Sequence, residues 1–320
     1  MLGETVVAVL GTRYPDLSIE EAVLADHDVR LVTGDGADAD AILAVAGEAE
    51  LILCGSRPRF DAEVLARLSC RGIVRYGIGT DSIDLDAARE QGIWVARVSD
   101  YGTEAVAVHA LALAMSGFRR VVASDRWVRA GNWGFDHLRP LHLPSASAAA
   151  VVGYGRIGRY AAGLFAGIGF RVLVHDPFVS EVAEGHEQVA DLHDLLAAAD
   201  VVSLHVPGNA DGTPLLGAAE LANCRPGSVL VNTARGSLID PDALVTALRT
   251  GRPAVAALDV HAQEPVDASR FDAVADQVVL TPHTAWYSEE SEADMRQKAA
   301  RAAEALLRGE RPDDVVVDPT

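Results

Sequence analysis

The segment Val-Val-Gly153-Tyr-Gly155-Arg-Ile-Gly158 constrains this chain more than any other. The apolar run at 148–152 reads as a buried strand and the residues from Arg159 onward read as a helix, so the three glycines fall at a strand-to-helix turn. In that setting Gly153 makes the tight turn, Gly155 lets backbone amides approach a pyrophosphate, and Gly158 lets the helix pack closely on the sheet. The helix N-terminus then faces the phosphates. Glycines also mark ordinary turns, so the next requirement is an acidic residue after the following strand. The run at 170–174 leads into His175-Asp176-Pro177 and meets it. A carboxylate there accepts hydrogen bonds from both ribose hydroxyls of an adenosine and repels a 2′-phosphate, which favours NAD over NADP. The alternative is an Asp176 that merely opens a turn before Pro177.

The rest of the composition narrows the partners. A length of 320 residues is enough for two domains that each bury a core. A formal charge of −19 disfavours nucleic acid and anionic membrane surfaces, both of which select basic faces. Cys54, Cys70 and Cys224 are odd in number and form no CxxC pair, so neither a disulfide framework nor a metal site is expected. The chain opens on a strand-like run with no charged leader or long apolar segment, and a cytoplasmic protein is the expectation.

Short β-rich runs alternate with helical patterns throughout. The early strands are expected at 6–10, 29–33, 51–54, 72–76 and 94–98, followed by a long helical stretch at 103–129 and a second alternating series over 148–280. A last helix at 288–307 precedes only a short strand-like run at 314–317. The fold class is therefore α/β, with two Rossmann-like domains built on parallel sheets. The dinucleotide-binding domain, 100–285, is inserted into a discontinuous substrate domain of flavodoxin-like type, 1–99 and 286–320, so that two crossings form a hinge over a cleft. The acidic tail 311–320 is either frayed or docked.

An ordered set of further blocks completes the pattern. They are Arg75-Tyr-Gly-Ile-Gly-Thr-Asp-Ser-Ile-Asp-Leu, Tyr101-Gly-Thr-Glu-Ala-Val, His205-Val-Pro, Asn232-Thr-Ala-Arg-Gly-Ser-Leu-Ile-Asp240, Leu258-Asp-Val-His-Ala-Gln-Glu-Pro265 and Thr281-Pro-His-Thr-Ala-Trp-Tyr-Ser-Glu-Glu290. With the glycine motif and Asp176, the chain resembles the D-isomer-specific 2-hydroxyacid dehydrogenases over essentially its whole length. The block carrying Trp286 looks most like the C-terminal-binding-protein branch.

The resemblance implies an NAD-dependent oxidoreductase acting on a small 2-hydroxy or 2-keto acid. His283 is the implied acid and base at the substrate oxygen, because an imidazole can serve both directions near neutral pH. Glu264 would orient it, fixing the tautomer, and Arg235 would hold the substrate carboxylate and polarise the carbonyl. Arg156 and Ile157 would offer amides to the pyrophosphate, and His205, Val206, Pro207, Thr233 and Ala234 would line the cofactor site, with His205 equally readable as a packed strand-end histidine. Asp259 matches an aspartate beside the nicotinamide carboxamide. Arg75, with the amides of Gly77, Ile78 and Gly79, would face the substrate, and Trp286 is either an apolar wall of that site or core. The stretch 103–129 resembles the family's dimerisation helix and implies a homodimer. An NAD(H)-sensing interaction protein, like the corepressors of that branch, is the alternative to an enzyme.

The chain departs from the pattern at three places. Arg97-Val98-Ser99 stands where the family has Asn-Val-Pro, Val108 where it has an aspartate, and Ser145-Ala-Ser-Ala where a glycine-lysine approach is common. Arg97 is either a specificity element for a second anionic group or a surface arginine.

Overall fold

The computed structural model of the protein describes residues 4–12, 14–209 and 211–319. The chain divides into two compact units, one formed by Met1–Gly102 with Ser288–Thr320 and the other by Thr103–Tyr287. The strands of the first unit are β1 (Thr5–Leu10), β2 (Val29–Gly34), β3 (Leu51–Cys54), β4 (Gly72–Arg75) and β5 (Trp94–Arg97). The second contributes β6 (Ala148–Val152), β7 (Arg171–His175), β8 (His186–Gln188), β9 (Val201–Leu204), β10 (Val229–Asn232), β11 (Val255–Leu258) and β12 (Val278–Leu280), after which β13 (Val315–Val317) returns to the first.

In the first unit the strand order is β13-β5-β4-β3-β1-β2. The five early strands run parallel, and only β13 is antiparallel, pairing with β5. The run Leu-Ile-Leu-Cys of β3 is buried at every position, as a parallel strand covered on both faces must be. One cover is the helix Glu289–Leu307, whose Met295, Ala299, Ala300, Ala303 and Leu306 are buried. It starts cleanly because the Ser288 hydroxyl accepts from Ser291 N at 3.0 Å and three glutamates sit in the first turn, where the helix dipole favours them. The tail is thus docked through β13.

The second unit is a seven-stranded parallel sheet in the order β12-β11-β10-β9-β6-β7-β8. This order reverses direction at β6, and ligands of such sheets bind beyond the carboxyl ends of the strands at the point of reversal. The expected helix at 103–129 is in fact broken. Thr103–Phe118 ends where Arg120 takes a left-handed conformation (φ 54°, ψ 36°), and Val121–Arg129 departs at 55°. The first piece buries Ala107, Ala110, Leu113, Ala114 and Phe118 in the core of its own unit, beside Val151, Val229 and Val255. Its alanines permit that close approach to the sheet, so its apolar composition serves internal packing.

Candidate active site

The glycine turn leaves β6 as the motif requires. Gly153 has φ 92°, and a Cβ there would lie 2.6 Å from the His205 carbonyl oxygen. A Cβ at Gly158 would overlap the Gly153 carbonyl oxygen, so this residue allows the helix Arg156–Gly167 to touch the turn it follows. A Cβ at Gly155 would meet nothing within 4 Å. The open space lies at the N-terminus of that helix, which has no side-chain cap and no acidic residue in its first turn. By contrast the helices Leu192–Ala198 and Pro241–Thr250 of the same unit are capped by Asp191 and Asp240. The first turn, carrying Arg156 and Ile157, therefore suits an anion.

Asp176 is fixed at the end of β7. Its Oδ2 accepts from Tyr154 N at 2.7 Å and its Oδ1 from Phe178 N at 2.9 Å, and each oxygen retains acceptor capacity for a hydroxyl. At the end of β9, His205 Nε2 pairs with the Ser203 hydroxyl at 2.9 Å, and burial pushes the imidazole pKa down to about 4. It is a neutral strand-end histidine whose backbone backs the glycine turn. Val206 reaches the same turn, its Cγ1 lying 2.7 Å from the position of a Gly153 Cβ, while Pro207 is exposed. Beyond β10, Thr233 is buried and its hydroxyl has no partner among the described residues, with Ala234 half-buried next to it. An uncapped helix start, an open glycine, an anchored acid and an orphaned hydroxyl together fit a dinucleotide with an unphosphorylated ribose.

Arg235, Glu264 and His283 follow β10, β11 and β12, which are adjacent in the sheet. His283 Nδ1 and Glu264 Oε2 are 2.8 Å apart, and Glu264 Oε1 accepts from His261 N at 3.0 Å. Burial opposes ionisation of Glu264, but the hydrogen bonds from His283 and His261 outweigh it and hold the carboxyl below the usual glutamate range. The bond at Nδ1 leaves Nε2 as the nitrogen that can exchange a proton with a ligand.

Two buried polar residues build the loops around this pair. Asp259, expected beside the nicotinamide carboxamide, has no exposed surface. Its carboxylate accepts from Thr281 Oγ1 at 2.6 Å, Thr284 N at 2.9 Å and Ala285 N at 2.9 Å, and its carbonyl accepts from His283 N at 2.8 Å. Through these bonds it holds the loop that carries His283, itself at φ 55°. Asn232, which sequence reasoning passed over, does the same for Arg235. Its Nδ2 donates to the Arg235 carbonyl at 2.8 Å and its Oδ1 accepts from Ala234 N at 3.0 Å. A buried asparagine ending an otherwise apolar strand was the available signal. The Arg235 guanidinium donates to the Ala234 carbonyl at 2.8 Å. Trp286 is half-buried and stands edge-on to Tyr287, with centroids 5.6 Å apart.

The remaining candidates gather in the first unit, beyond β4. Arg75 folds back to donate to the Tyr76 carbonyl, and its Nε is buried without a partner among the described residues. Gly77 has φ 120°, and no N–H of Gly77, Ile78 or Gly79 donates to a backbone carbonyl among the described residues. Arg97 is not the free cation that a second anionic group would need. Its Nε pairs with Asp314 at 3.2 Å and its Nη1 donates to the Ile78 carbonyl at 3.3 Å, so it ties the docked tail to this loop.

Known proteins resemble the chain over most of its length. The family described as "D-isomer specific 2-hydroxyacid dehydrogenase, NAD binding domain" matches residues 111–285. A D-3-phosphoglycerate dehydrogenase of Mycobacterium tuberculosis is 36% identical over 299 residues, covering 92% of this chain and 56% of the relative. The chain thus spans little more than half the length of that relative. A glyoxylate reductase of Korarchaeum cryptofilum is 37% identical over 263 residues, 80% of this chain and 79% of the relative. The solved D-lactate dehydrogenase of Aquifex aeolicus, complexed with NAD and lactic acid, superposes with a TM-score of 0.86 at 26% identity, covering 98% of this chain and all of that one. The cofactor of the matched domain is NAD, and the chain belongs to the D-isomer specific 2-hydroxyacid dehydrogenase family.

Proposed function

We propose that the protein is an NAD-dependent oxidoreductase that interconverts a D-2-hydroxyacid and its 2-ketoacid. The observation that carries this reading is the His283–Glu264 pair, 2.8 Å apart, at adjacent strand ends with Arg235. When bound, NAD(H) supplies or accepts the hydride at the substrate carbon. His283 Nε2 gives a proton to the ketone oxygen in reduction and takes it back in oxidation. Glu264, at 2.8 Å from Nδ1, holds the ring in one tautomer and orientation. Arg235 binds the substrate carboxylate and draws charge from the carbonyl, as a planar guanidinium suits. Arg75 and the amides of Gly77, Ile78 and Gly79 would add anion-binding groups, and Trp286 would add an apolar contact. The Trp286 block also supports a place near the C-terminal-binding-protein-like branch. The test is NADH consumption with a panel of 2-ketoacids including glyoxylate and hydroxypyruvate. Saturable turnover is expected, and NADH binding without turnover of any of them would overturn the reading.

A cytoplasmic homodimer is part of the same proposal. Trp133 is 88% exposed, and Phe135, Leu143, Val121 and Val128 are each at least half exposed in the same segment. So much apolar surface in one stretch suits a second copy of the chain. Sedimentation should show a species of twice 33.7 kDa, reduced to the monomer by Trp133→Glu. A monomeric wild type at micromolar concentration would refute it.

A further inference from the structure

The first unit buries an ion pair that the proposed chemistry does not use. Glu20 has no exposed surface and Arg296 is only 4% exposed. Arg296 Nε donates to Glu20 Oε1 at 3.0 Å and Nη2 to Oε2 at 2.6 Å, a two-point fork, while Nη2 also reaches the Asp16 carbonyl at 2.7 Å. The guanidinium lies 4.4 Å above the Tyr14 ring, which packs edge-on against Tyr76 at 5.2 Å. Taking two charges out of water costs several kcal/mol per ion, so an apolar pair of similar volume would stabilise the fold as well or better. The pair has another use in the third group that it holds. The Tyr76 hydroxyl donates to Glu20 Oε1 at 2.9 Å. Burial, and then the Glu20 carboxylate, push the phenol well above its ordinary pKa, so it remains a donor.

Tyr76 lies inside the turn that carries Arg75 and Gly77–Gly79. Its N–H donates to the Cys54 carbonyl at 2.8 Å and its carbonyl accepts from the Arg75 guanidinium. Ring, hydroxyl and both backbone groups are therefore fixed, and Arg75 is folded onto the peptide that Tyr76 supplies. A Cβ at Gly77 would overlap the Arg75 guanidinium, so the two are in contact.

We infer that Tyr76, anchored by the buried Glu20–Arg296 pair, is a positioning residue for substrate binding, setting how Arg75 and the N–H groups of Gly77, Ile78 and Gly79 are presented to a carboxylate. This rests on the function proposed above and adds a role for a phenol that touches no substrate. The informative variant is Tyr76→Phe, which removes one oxygen and leaves Glu20 with both donors of the Arg296 fork, so the fold survives. The expected result is a KM for the 2-ketoacid raised about fivefold, as loss of one positioning hydrogen bond implies, with kcat and NADH affinity unchanged. Amide exchange across 75–79 should quicken in the same variant. Arg296→Lys, which replaces the planar fork by a point charge, should raise KM in the same direction. An active wild type with equal KM and equal exchange in Tyr76→Phe overturns the inference alone. A wild type that turns over no 2-ketoacid overturns the proposed activity, and unchanged exchange at 75–79 would then overturn the anchoring too.

Discussion

Replacing Gly155 and Gly158 separately by alanine should produce opposite phenotypes. At Gly158 the new Cβ meets the Gly153 carbonyl oxygen, a backbone atom in a turn that is itself tied by Gly153 N to the His175 carbonyl at 2.8 Å. Neither partner can swing aside, so the helix Arg156–Gly167 must move off the sheet. Overpacking of that kind costs about 3 kcal/mol, which for a unit of this size lowers Tm by roughly 6–12 °C. At Gly155 the backbone is extended, at φ −73° and ψ −163°, and a Cβ enters open space. The loss of a favourable N-cap residue, up to ~1 kcal/mol, is offset by a similar gain from a stiffer unfolded chain. Its Tm should therefore stay within about 3 °C of the wild type. The added methyl occupies the space assigned to the pyrophosphate, and a penalty of ~2 kcal/mol raises the Kd for NADH by about 30-fold. Thermal melts followed by circular dichroism and titrations followed by NADH fluorescence read both quantities. A Gly155→Ala protein that binds NADH like the wild type would show that the phosphates lie elsewhere, and a wild-type Tm for Gly158→Ala would show that the close contact is not needed.

Other outcomes can be stated more briefly. His283→Ala should lose about 10²–10⁴ in kcat with NADH affinity retained, and turnover at the wild-type rate would remove His283 from the mechanism. Glu264 has a lower pKa folded than unfolded, so its contribution to stability is present above the unfolded value and is lost as pH falls through the folded one. The urea midpoint should accordingly fall less on acidification in Glu264→Gln than in the wild type, and parallel pH dependences would contradict this. His205 titrates near 4 in the fold, below the ordinary histidine range, so protons bind the unfolded chain more readily and stability drops as pH falls from about 6.5 towards 4, by up to ~3 kcal/mol. His205→Asn should flatten that part of the profile, and an unaltered slope would place the titrating group elsewhere.

What could be read from sequence and what could not divides along physical lines. The turn is legible because backbone geometry and close approach leave only glycine possible at Gly153 and Gly158, with Gly155 falling into the motif's spacing between them, and the strands because their apolar runs are local. Asp176 is legible for its spacing from that turn. Asp259 was assigned by its match to a family aspartate, and only the fold shows its carboxylate accepting from Thr281, Thr284 and Ala285, ties that no local rule reveals. Arg97 looked like a spare cation because its partner, Asp314, lies 217 residues away. The break at Arg120 is equally silent, since arginine has no preference for the left-handed conformation that ends the helix there. Local rules reveal the elements, whereas pairing across the chain decides which polar residues remain available.

The Glu20–Arg296 pair spans 276 residues, and this separation sets an order of events during synthesis. The unit Thr103–Tyr287 is continuous and can close its sheet as soon as its last strand leaves the ribosome. The discontinuous unit must wait, because the helix covering β3 and β4, the edge strand β13 and the countercharge for Glu20 all follow the inserted unit in the chain. Until then Glu20 has the Tyr76 hydroxyl but no cation beside it, so burying its charge stays costly. A buried charge thereby makes the segment before the inserted unit depend on the segment after it.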